Sequence, residues 1–465
     1  MGKGSGLVFT EINYNQIPIL FMNRITLFTV VLLILTSACA SQEAVTSNES
    51  EQDSSDNAPV ASEMYVNEIN ELANSELIQQ AFQFIEDIDD ETVETQIHLT
   101  EIPAPPFMEE ERAIRYAELM KEYGLDDVTI DEEGNVIGKR PGSNGERTIV
   151  LSAHLDTVFP EETDVNVTVR NDTLYAPGIT DDTRGLSVIL TVLRAFEEQN
   201  IETNDNVWFV GTVGEEGLGD LRGVKHLFRE GGPNIDAFIS IDGSNDSRIV
   251  NKALGSHRYR VTFEGPGGHS WGAFGIANPA HALGHTISKF DEDASGFVQN
   301  VPRTSYNVGR ISGGTSVNSV PFENWMEVDM RSIDDQSLQE IDDILQSSVQ
   351  YGLEKANDIR QEGPALTVDV DMIGNRPSGE ISPDEPFIQR AIAASLFFDK
   401  DPSLTRSSTD SNVSISMGIP SMTLGGGGNS SGAHSLDEWW VNDNGYIGIQ
   451  RVFLIVASEA GILVE

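Results

Sequence analysis

Short apolar stretches alternate with helical segments between residues 147 and 241, and this alternation constrains the fold more than any other feature. "RTIVLSA", "NVWFVGTV" and "DAFISI" have the length and apolar character of strands buried on both faces. "GLSVILTVLRAFEEQ" and "LRGVKHLFRE" separate them and have helical spacing. Alternation of this kind predicts an α/β fold, a mostly parallel mixed sheet with helices on both faces.

A second pattern begins after residue 255 and divides the chain. "SHRYRVTFEG", "SYNVGRISGG", "ENWMEVDMRS" and "ALTVDVDMIG" alternate polar and apolar residues, and helices are expected over 278–290 and 337–354. Strands with one polar face predict an open sheet, hence an inserted α+β domain over 256–374. The first pattern returns with "PFIQRAIAASLFF" and "SMTLG". The main domain is therefore expected to comprise 63–255 and 375–465.

The N-terminal residues have the pattern of a lipoprotein signal. Arg24 precedes the apolar residues 25–38, which end in small side chains, and Cys39 follows at once. We therefore expect a signal over 1–39, with Met22 a more natural start than Met1 and Cys39 as the lipidated residue. The acidic, Ser-rich stretch 40–62 predicts a disordered tether. These features predict a protein anchored by lipid to a bacterial cell envelope, outside the cytoplasm.

Charge and cysteine content exclude several classes of function. The 465 residues include 29 basic and 74 acidic side chains, for a net charge of −45. Such a balance argues against a nucleic-acid partner, because phosphates require Lys and Arg. Cys39 is the single cysteine of the sequence, so intramolecular disulfides and a Cys-rich zinc site are excluded.

Imidazole and carboxylate side chains follow the predicted strands and precede a helix. The carboxyl ends of parallel strands share one edge of a sheet, where ligands bind. These groups offer nitrogen and oxygen but no thiolate, which suits Zn²⁺, Co²⁺ or Mn²⁺. Their number exceeds what one ion needs and suits two. They are His154, Asp156, Asp181, Asp182, Glu215, Glu216, Asp242 and His434.

Seven motifs resemble those of a metallopeptidase family. They are "SAHLDTV", "GITDDTRG", "GTVGEEGLG", "SIDG", "GGHS", "VNSVP" with "DMRS", and "GAHSLDE". In order and type the chain is similar to the zinc aminoacylase, peptidase T, carboxypeptidase G and acetylornithine deacetylase/succinyl-diaminopimelate desuccinylase family. The resemblance covers residue 63 to the C-terminus. It implies a dinuclear zinc exopeptidase fold with an inserted lid and dimerisation domain.

The resemblance also implies the ligands of two Zn²⁺ ions, with Co²⁺ or Mn²⁺ as alternatives. His154 and Asp242 are expected to hold one ion and Glu216 and His434 the other, with Asp181 shared between them. The peptide bond that follows this shared aspartate is expected to be cis.

Two further carboxylates are assigned catalytic work by the same resemblance. Asp156 is expected to orient the imidazole of His154. Glu215 is expected to act as general base on the bridging water.

Residues of the inserted domain are assigned to the substrate by the resemblance. His269 is expected to reach the partner subunit's site in a homodimer as an oxyanion donor. Asn318 is expected to add polar contacts, and Arg331 to bind the substrate carboxylate.

The resemblance leaves the substrate open. Asp242 stands where carboxypeptidase and deacylase members carry Glu and where tri- and dipeptidase members carry Asp. We therefore expect an aminopeptidase of short peptides. The alternatives are a carboxypeptidase or N-acyl-amino-acid deacylase of the same family and, in another class, a non-catalytic peptide-binding lipoprotein.

Overall fold

The computed structural model describes residues 51–52 and 59–463, so the predicted signal with Cys39 and most of the predicted tether lie outside the described residues. The helices are α1 Glu63–Ala73, α2 Glu76–Asp87, α3 Asp89–Thr100, α4 Glu110–Glu122, α5 Thr183–Glu198, α6 Arg222–Leu227, α7 Pro279–Phe297, α8 Asp335–Asp358, α9 Pro386–Phe397, α10 Ser411–Ser416 and α11 Gly445–Ala460. The strands of the first half are β1 Glu51–Gln52, β2 Asp127–Ile130, β3 Val136–Arg140, β4 Thr148–His154, β5 Thr168–Arg170, β6 Thr173–Tyr175, β7 Asn206–Thr212, β8 Ala237–Ile241, β9 Arg248–Ala253 and β10 Gly255–Glu264. Those of the second half are β11 Gly268–His269, β12 Thr304–Gly313, β13 Ser319–Val320, β14 Glu323–Ser332, β15 Thr367–Arg376, β16 Gly379–Glu380, β17 Ser403–Ser407, β18 Ser421–Leu424, β19 Asn429–Ser431 and β20 Trp439–Val441.

The main sheet has the strand order β1-β17-β9-β18-β8-β4-β7-β3-β2, and β16 pairs with β9. Its central strands β7, β4, β8 and β18 run parallel, whereas β2 with β3 and β9 with β18 pair antiparallel. Every residue of β4 and β8 is buried. The predicted fold class, a mixed, mostly parallel sheet inside helices, is confirmed.

Helices cover both faces of this sheet because successive side chains of a strand point to opposite sides. Ile149 and Leu151 of β4 belong to the larger core, which includes residues of α5 and α11. Val150 belongs to a smaller core with Val224 and Leu227 of α6. The large main core thus fixes the position of the strand ends.

The inserted domain forms its own sheet in the order β12-β14-β10-β15. Strand β14 alternates between buried and partly exposed residues, and its buried side chains contact α7 and α8. The opposite face is uncovered, as the alternating pattern predicts. Helix α7 continues to Phe297, beyond the expected end at residue 290, because the buried Ala294 and the partly buried Phe297 pack into this core.

The insertion leaves and re-enters the main domain through neighbouring strands. Strands β10 and β15 are antiparallel partners, with Ser256 opposite Arg376. At the junction the side-chain amide of the buried Asn412 donates to the carbonyl oxygens of Leu254 and Pro377, at 2.9 and 3.1 Å. One side chain therefore holds both connections.

The stretch expected to be a tether over 40–62 includes residues with regular contacts. Glu51 and Gln52 pair with Arg406 and Thr405 of β17, and Ala61 is buried. The folded part thus begins before residue 63 in the described residues. None of the helices within the described ranges combines the length and hydropathy that a membrane span requires.

Candidate metal centre

The carboxyl ends of four neighbouring parallel strands bring the predicted ligands together. His154 is the last residue of β4, and Asp242 follows β8 directly. Glu216 lies in the loop after β7, and His434 lies in the loop between β19 and β20, which follow β18 in the chain. Asp181 precedes α5, which packs on β4. Short connections at one edge of a rigid sheet thus place five side chains in a single cluster.

The Asp181 carboxylate lies between the two imidazoles. Its Oδ1 is 2.9 Å from Nε2 of His154, and its Oδ2 is 3.1 Å from Nε2 of His434. Nε2 of His434 is also 2.9 Å from Oε1 of Glu216. His154, Asp181 and Asp242 present ligand atoms within 4.8 Å of one another, as do Asp181, Glu216 and His434. The arrangement offers two adjacent metal positions that share Asp181.

The electrostatics of this cluster fit bound cations. Burial and then the charge of Asp181 raise the pKa of Glu216 and of Asp242. Hydrogen bonds to Asp181 and Glu216 raise the pKa of His434 to about 11. Both the crowded carboxylates and the imidazoles favour added positive charge at this place. Divalent ions bound by nitrogen and oxygen ligands would supply that charge.

The adjacent glutamates Glu215 and Glu216 have different partners. The Glu216 carboxylate contacts His434, whereas Oε1 of Glu215 accepts a hydrogen bond from Nη1 of Arg376 at 2.9 Å. Burial raises the pKa of Glu215 well above its usual value, although the charge of Arg376 opposes the shift. Gly214 and Gly217 flank the pair with φ of 68° and 52°, a backbone region that glycine adopts without strain. The turn therefore presents the two carboxylates to different neighbours.

The Asp156 carboxylate lies between the ligand His154 and the glutamate pair. Nδ1 of His154 lies 3.0 Å from the Asp156 main-chain oxygen and 3.6 Å from its Oδ1. The fully buried carboxylate also accepts the backbone N–H groups of Glu215 and Glu216, at 3.0 and 2.8 Å. Its side chain therefore holds the glutamate pair and lies within ion-pair distance of the His154 imidazole, so the expected orientation of His154 stays a prediction.

The residue after the shared ligand supports the site from behind. The Asp181–Asp182 peptide bond is cis, as the resemblance implies. The Asp182 carboxylate accepts N–H groups of Gly185 in α5, at 3.1 Å, and of His154, at 3.2 Å. It thus joins the start of α5 to the end of β4.

Two residues outside the predicted set also support the cluster. The buried Glu438 carboxylate accepts the backbone N–H groups of Gly178, Thr180 and Asp181. Arg376 is the second. Glu438 could have been found in the sequence, because it lies four residues after the predicted ligand His434. Arg376 has no predicted site residue near it in the sequence.

The predicted substrate residues lie on the inserted domain. His269 in β11 lies opposite Ser319 in β13, and the Asn318 main-chain oxygen accepts from Ser270 N at 2.9 Å. Among the described residues, His269 makes no hydrogen bond to the ligand cluster. Nε of Arg331 donates to Asp329 at 2.9 Å. The structure brings His269 and Asn318 together, and it places Arg331 on β14 beside Asp329.

Comparison with known proteins shows relatives of this chain. The description "Peptidase family M20/M25/M40" matches residues 150–457. A Bacillus subtilis protein named "Uncharacterized protein YqjE" is 28% identical over 227 residues, which cover 46% of this chain and 57% of that protein. A putative LysW-lysine/LysW-ornithine hydrolase of Pyrococcus abyssi is 36% identical over 129 residues, which cover 28% of this chain and 34% of that protein.

The fold is also found in a solved structure. The aminopeptidase PepT of Bacillus cereus superposes with a TM-score of 0.61 and 21% identity, over 80% of this chain and 98% of that chain. The two sequence relatives are matched over 57% and 34% of their own lengths. The matched range covers most of the folded part and includes all five predicted metal ligands, His154, Asp181, Glu216, Asp242 and His434. The chain therefore belongs to this peptidase family, which confirms the resemblance that its motifs showed.

Proposed function

We propose that this protein is a metal-dependent amide hydrolase, an aminopeptidase of short peptides with two metal ions per subunit. The observation that carries the proposal is the Asp181 carboxylate, which lies within 3.1 Å of both ligand imidazoles. The neighbouring carboxylate of the buried Glu215 accepts from Arg376. His154 and Asp242 would hold one ion, Glu216 and His434 the other, and Asp181 both. We assign Zn²⁺, with Co²⁺ or Mn²⁺ as alternatives, from the nitrogen and oxygen ligands.

The bound ions would polarise the scissile carbonyl and increase the acidity of the attacking water. Glu215 takes a proton from that water and delivers it to the leaving amine. Its raised pKa suits this exchange, because burial makes the carboxylate a stronger proton acceptor than an exposed glutamate. Asp156 fixes the backbone of both glutamates, and Glu438 fixes the loop that ends at Asp181.

The inserted domain supplies the substrate contacts in this proposal. Nδ1 of His269 accepts the N–H groups of Trp271 and Gly272, at 3.2 and 3.3 Å. An imidazole that accepts at Nδ1 carries its proton at Nε2 and is a donor there, as an oxyanion contact requires. Asn318 and Arg331 bind the polar ends of the peptide.

We propose a homodimer formed through the inserted domain, in which His269 acts on the partner subunit's substrate. The large exposed side chains Trp271, Phe274, Val317 and Phe322 lie in the loops around His269, where a second copy would cover them. We also propose the lipid anchor at Cys39 and a position outside the cytoplasm, from the pattern of residues 24–39.

The direct test is release of free amino acids by the purified protein with Zn²⁺, Co²⁺ or Mn²⁺. The substrates are dipeptides, tripeptides and N-acyl amino acids, and chelation should abolish turnover until metal is restored. Failure with every substrate and metal would refute the hydrolase assignment. Preference for N-acyl amino acids would replace the aminopeptidase with a deacylase.

Glu215→Gln tests the proposed base. The amide still accepts from Arg376 but cannot take a proton, so kcat should fall by about 10²- to 10⁴-fold at unchanged metal content. The exposed Glu146→Gln is the matched control. Turnover that survives in Glu215→Gln would show that another group is the base.

A further inference from the structure

The loop that carries the glutamate pair is attached to the inserted domain by hydrogen bonds from two neighbouring strands. Arg376, the last residue of β15, donates from Nη1 to Oε1 of Glu215 at 2.9 Å and from Nη2 to its main-chain oxygen. Arg258 of β10 donates to the main-chain oxygen of Gly217 at 2.9 Å. The backbone N–H of Asn375 donates to Asp220 at 2.9 Å. Strand β15 runs two residues past the expected boundary at 374, so the sheet of the inserted domain contacts this loop at Glu215, Gly217 and Asp220.

The Arg376 guanidinium is enclosed at this junction. The residue is 4% exposed, and besides Glu215 it contacts the hydroxyl oxygen of Ser408 at 3.0 Å. Its Nε is buried and has no hydrogen-bond partner among the described residues. A buried cation is costly unless a carboxylate compensates for the lost water. The packing thus favours a geometry in which Arg376 and Glu215 stay paired.

The two contacts to Glu215 define the orientation of its carboxylate. One guanidinium nitrogen binds a carboxylate oxygen and another binds the carbonyl oxygen of the same residue. Such a clamp fixes the side-chain rotamer relative to the backbone. Oε1 is occupied by Arg376, and Oε2 has no hydrogen-bond partner among the residues that the structure describes. Oε2 is therefore the oxygen available for a proton.

We propose that Arg376 is a positioning residue for Glu215 and makes a competent base depend on the placement of the inserted domain. The proposal rests on the proposed function for its catalytic part. A second path leads to the same loop, since Asp329 accepts from Arg331 at 2.9 Å and from Arg258 at 2.8 Å, and Arg258 contacts Gly217. Hydrogen bonds therefore connect the proposed substrate-binding residue on the inserted domain to the loop that carries the proton acceptor on the main domain.

The test compares Arg376→Ala, Arg376→Lys and Arg260→Ala in the full chain. Arg260 is the matched control, because it lies on the same sheet and contacts Glu327 and Trp325 instead of the loop. With the best peptide of the substrate screen, Arg376→Ala should lower kcat roughly 100-fold, the scale of a misplaced general base, and change KM less than about threefold. Arg376→Lys should also lower kcat, but less than Arg376→Ala does, since an ammonium keeps the charge and cannot form the two-point contact.

Guanidinium rescue separates positioning from general structural damage. Millimolar guanidinium should restore at least about tenfold in kcat to Arg376→Ala, because it can refill the position of the missing group, and should leave Glu215→Gln and Arg260→Ala unchanged. An unchanged kcat in Arg376→Ala would overturn the proposal. A raised KM at native kcat would overturn it as well and assign Arg376 to substrate binding.

Hydrogen exchange supplies a measurement that does not need turnover. Arg376→Ala should increase exchange in the peptide over 213–221, and Arg260→Ala should not, at equal melting temperature of the main domain. If the native protein hydrolyses nothing, the proposed function fails, and this exchange difference alone decides whether Arg376 holds the loop. Equal exchange in both variants would overturn the proposal even in an active enzyme.

Discussion

Replacing Asp156 by Asn distinguishes two roles for a buried carboxylate. In the structure its oxygens accept the N–H groups of Glu215 and Glu216, at 3.0 and 2.8 Å, whereas Nδ1 of His154 lies nearer to the Asp156 main-chain oxygen, at 3.0 Å, than to its Oδ1, at 3.6 Å. Asn has nearly the same size, but its single amide oxygen can accept from one of the two N–H groups. The other N–H then faces the NH₂ group. The change therefore removes one charge-assisted hydrogen bond and leaves a buried donor unpaired.

The cost can be worked from these contacts. A hydrogen bond to a charged group contributes about 1.5–3 kcal/mol, and an unpaired buried donor costs about 1–3 kcal/mol, with overlap between the two. A combined 2–4 kcal/mol lost from the productive position of the glutamates corresponds to roughly 30- to 900-fold in turnover. Because the imidazole keeps its main-chain acceptor, metal affinity should fall less than about tenfold.

The assay measures kcat with saturating metal, and metal affinity by competition with a chromogenic chelator. Asp164→Asn is the matched control, because that exposed aspartate also accepts a backbone N–H, from Asn166, and lies outside the strands and the ligand cluster. It should change neither quantity. A loss of more than tenfold in metal affinity at native kcat would show that the Asp156 carboxylate supports the ligand His154 and not the glutamate pair.

Glu438→Ala removes the acceptor of three backbone N–H groups in the loop before Asp181, so metal affinity should fall about 10- to 100-fold in the same competition assay. Native affinity would show that this loop needs no such support. Gly352→Ala should lower the free energy of unfolding by about 1–3 kcal/mol in denaturant titration, because the new methyl would lie 2.0 Å from Oγ1 of Thr286 on α7. Its control is Gly284→Ala on α7, which has nothing within 4 Å and should be neutral or stabilising by up to about 1 kcal/mol. Destabilisation by both changes would contradict the packing argument.

The ligand cluster could be predicted from the sequence because its geometry follows from strand direction. Buried parallel strands are readable as apolar runs, and whatever follows them lies at one edge. His154, Asp242 and the glutamate pair satisfy this rule directly. The family resemblance distinguishes Glu215 as the expected base from Glu216 as the expected metal ligand. Their adjacent positions in the sequence do not.

Arg376 and the small strands could not be predicted in this way. Arg376 is 161 positions from Glu215 in the chain, and no local pattern marks a pair at that separation. Strands β5, β6, β19 and β20 have three residues each and exist because a distant partner offers hydrogen bonds, as Tyr175 does for Trp439. Helix α7 was underestimated for the same reason, since tertiary contacts carry its last turns.

The adjacent connections of the insertion have an evolutionary consequence. The Asn412 amide holds both Leu254 and Pro377, so the two connections lie side by side. A different insertion would therefore need to bridge only the spacing of neighbouring strands, ~4.8 Å. The insertion is thus a cassette, and substrate preference can diversify within it without rethreading the metal-bearing strands. Arg376 stands at the root of the cassette, one residue before Pro377. A chimaera that carries a foreign cassette would need to keep this arginine as part of the recipient, which places the effective genetic boundary inside β15 instead of at its end.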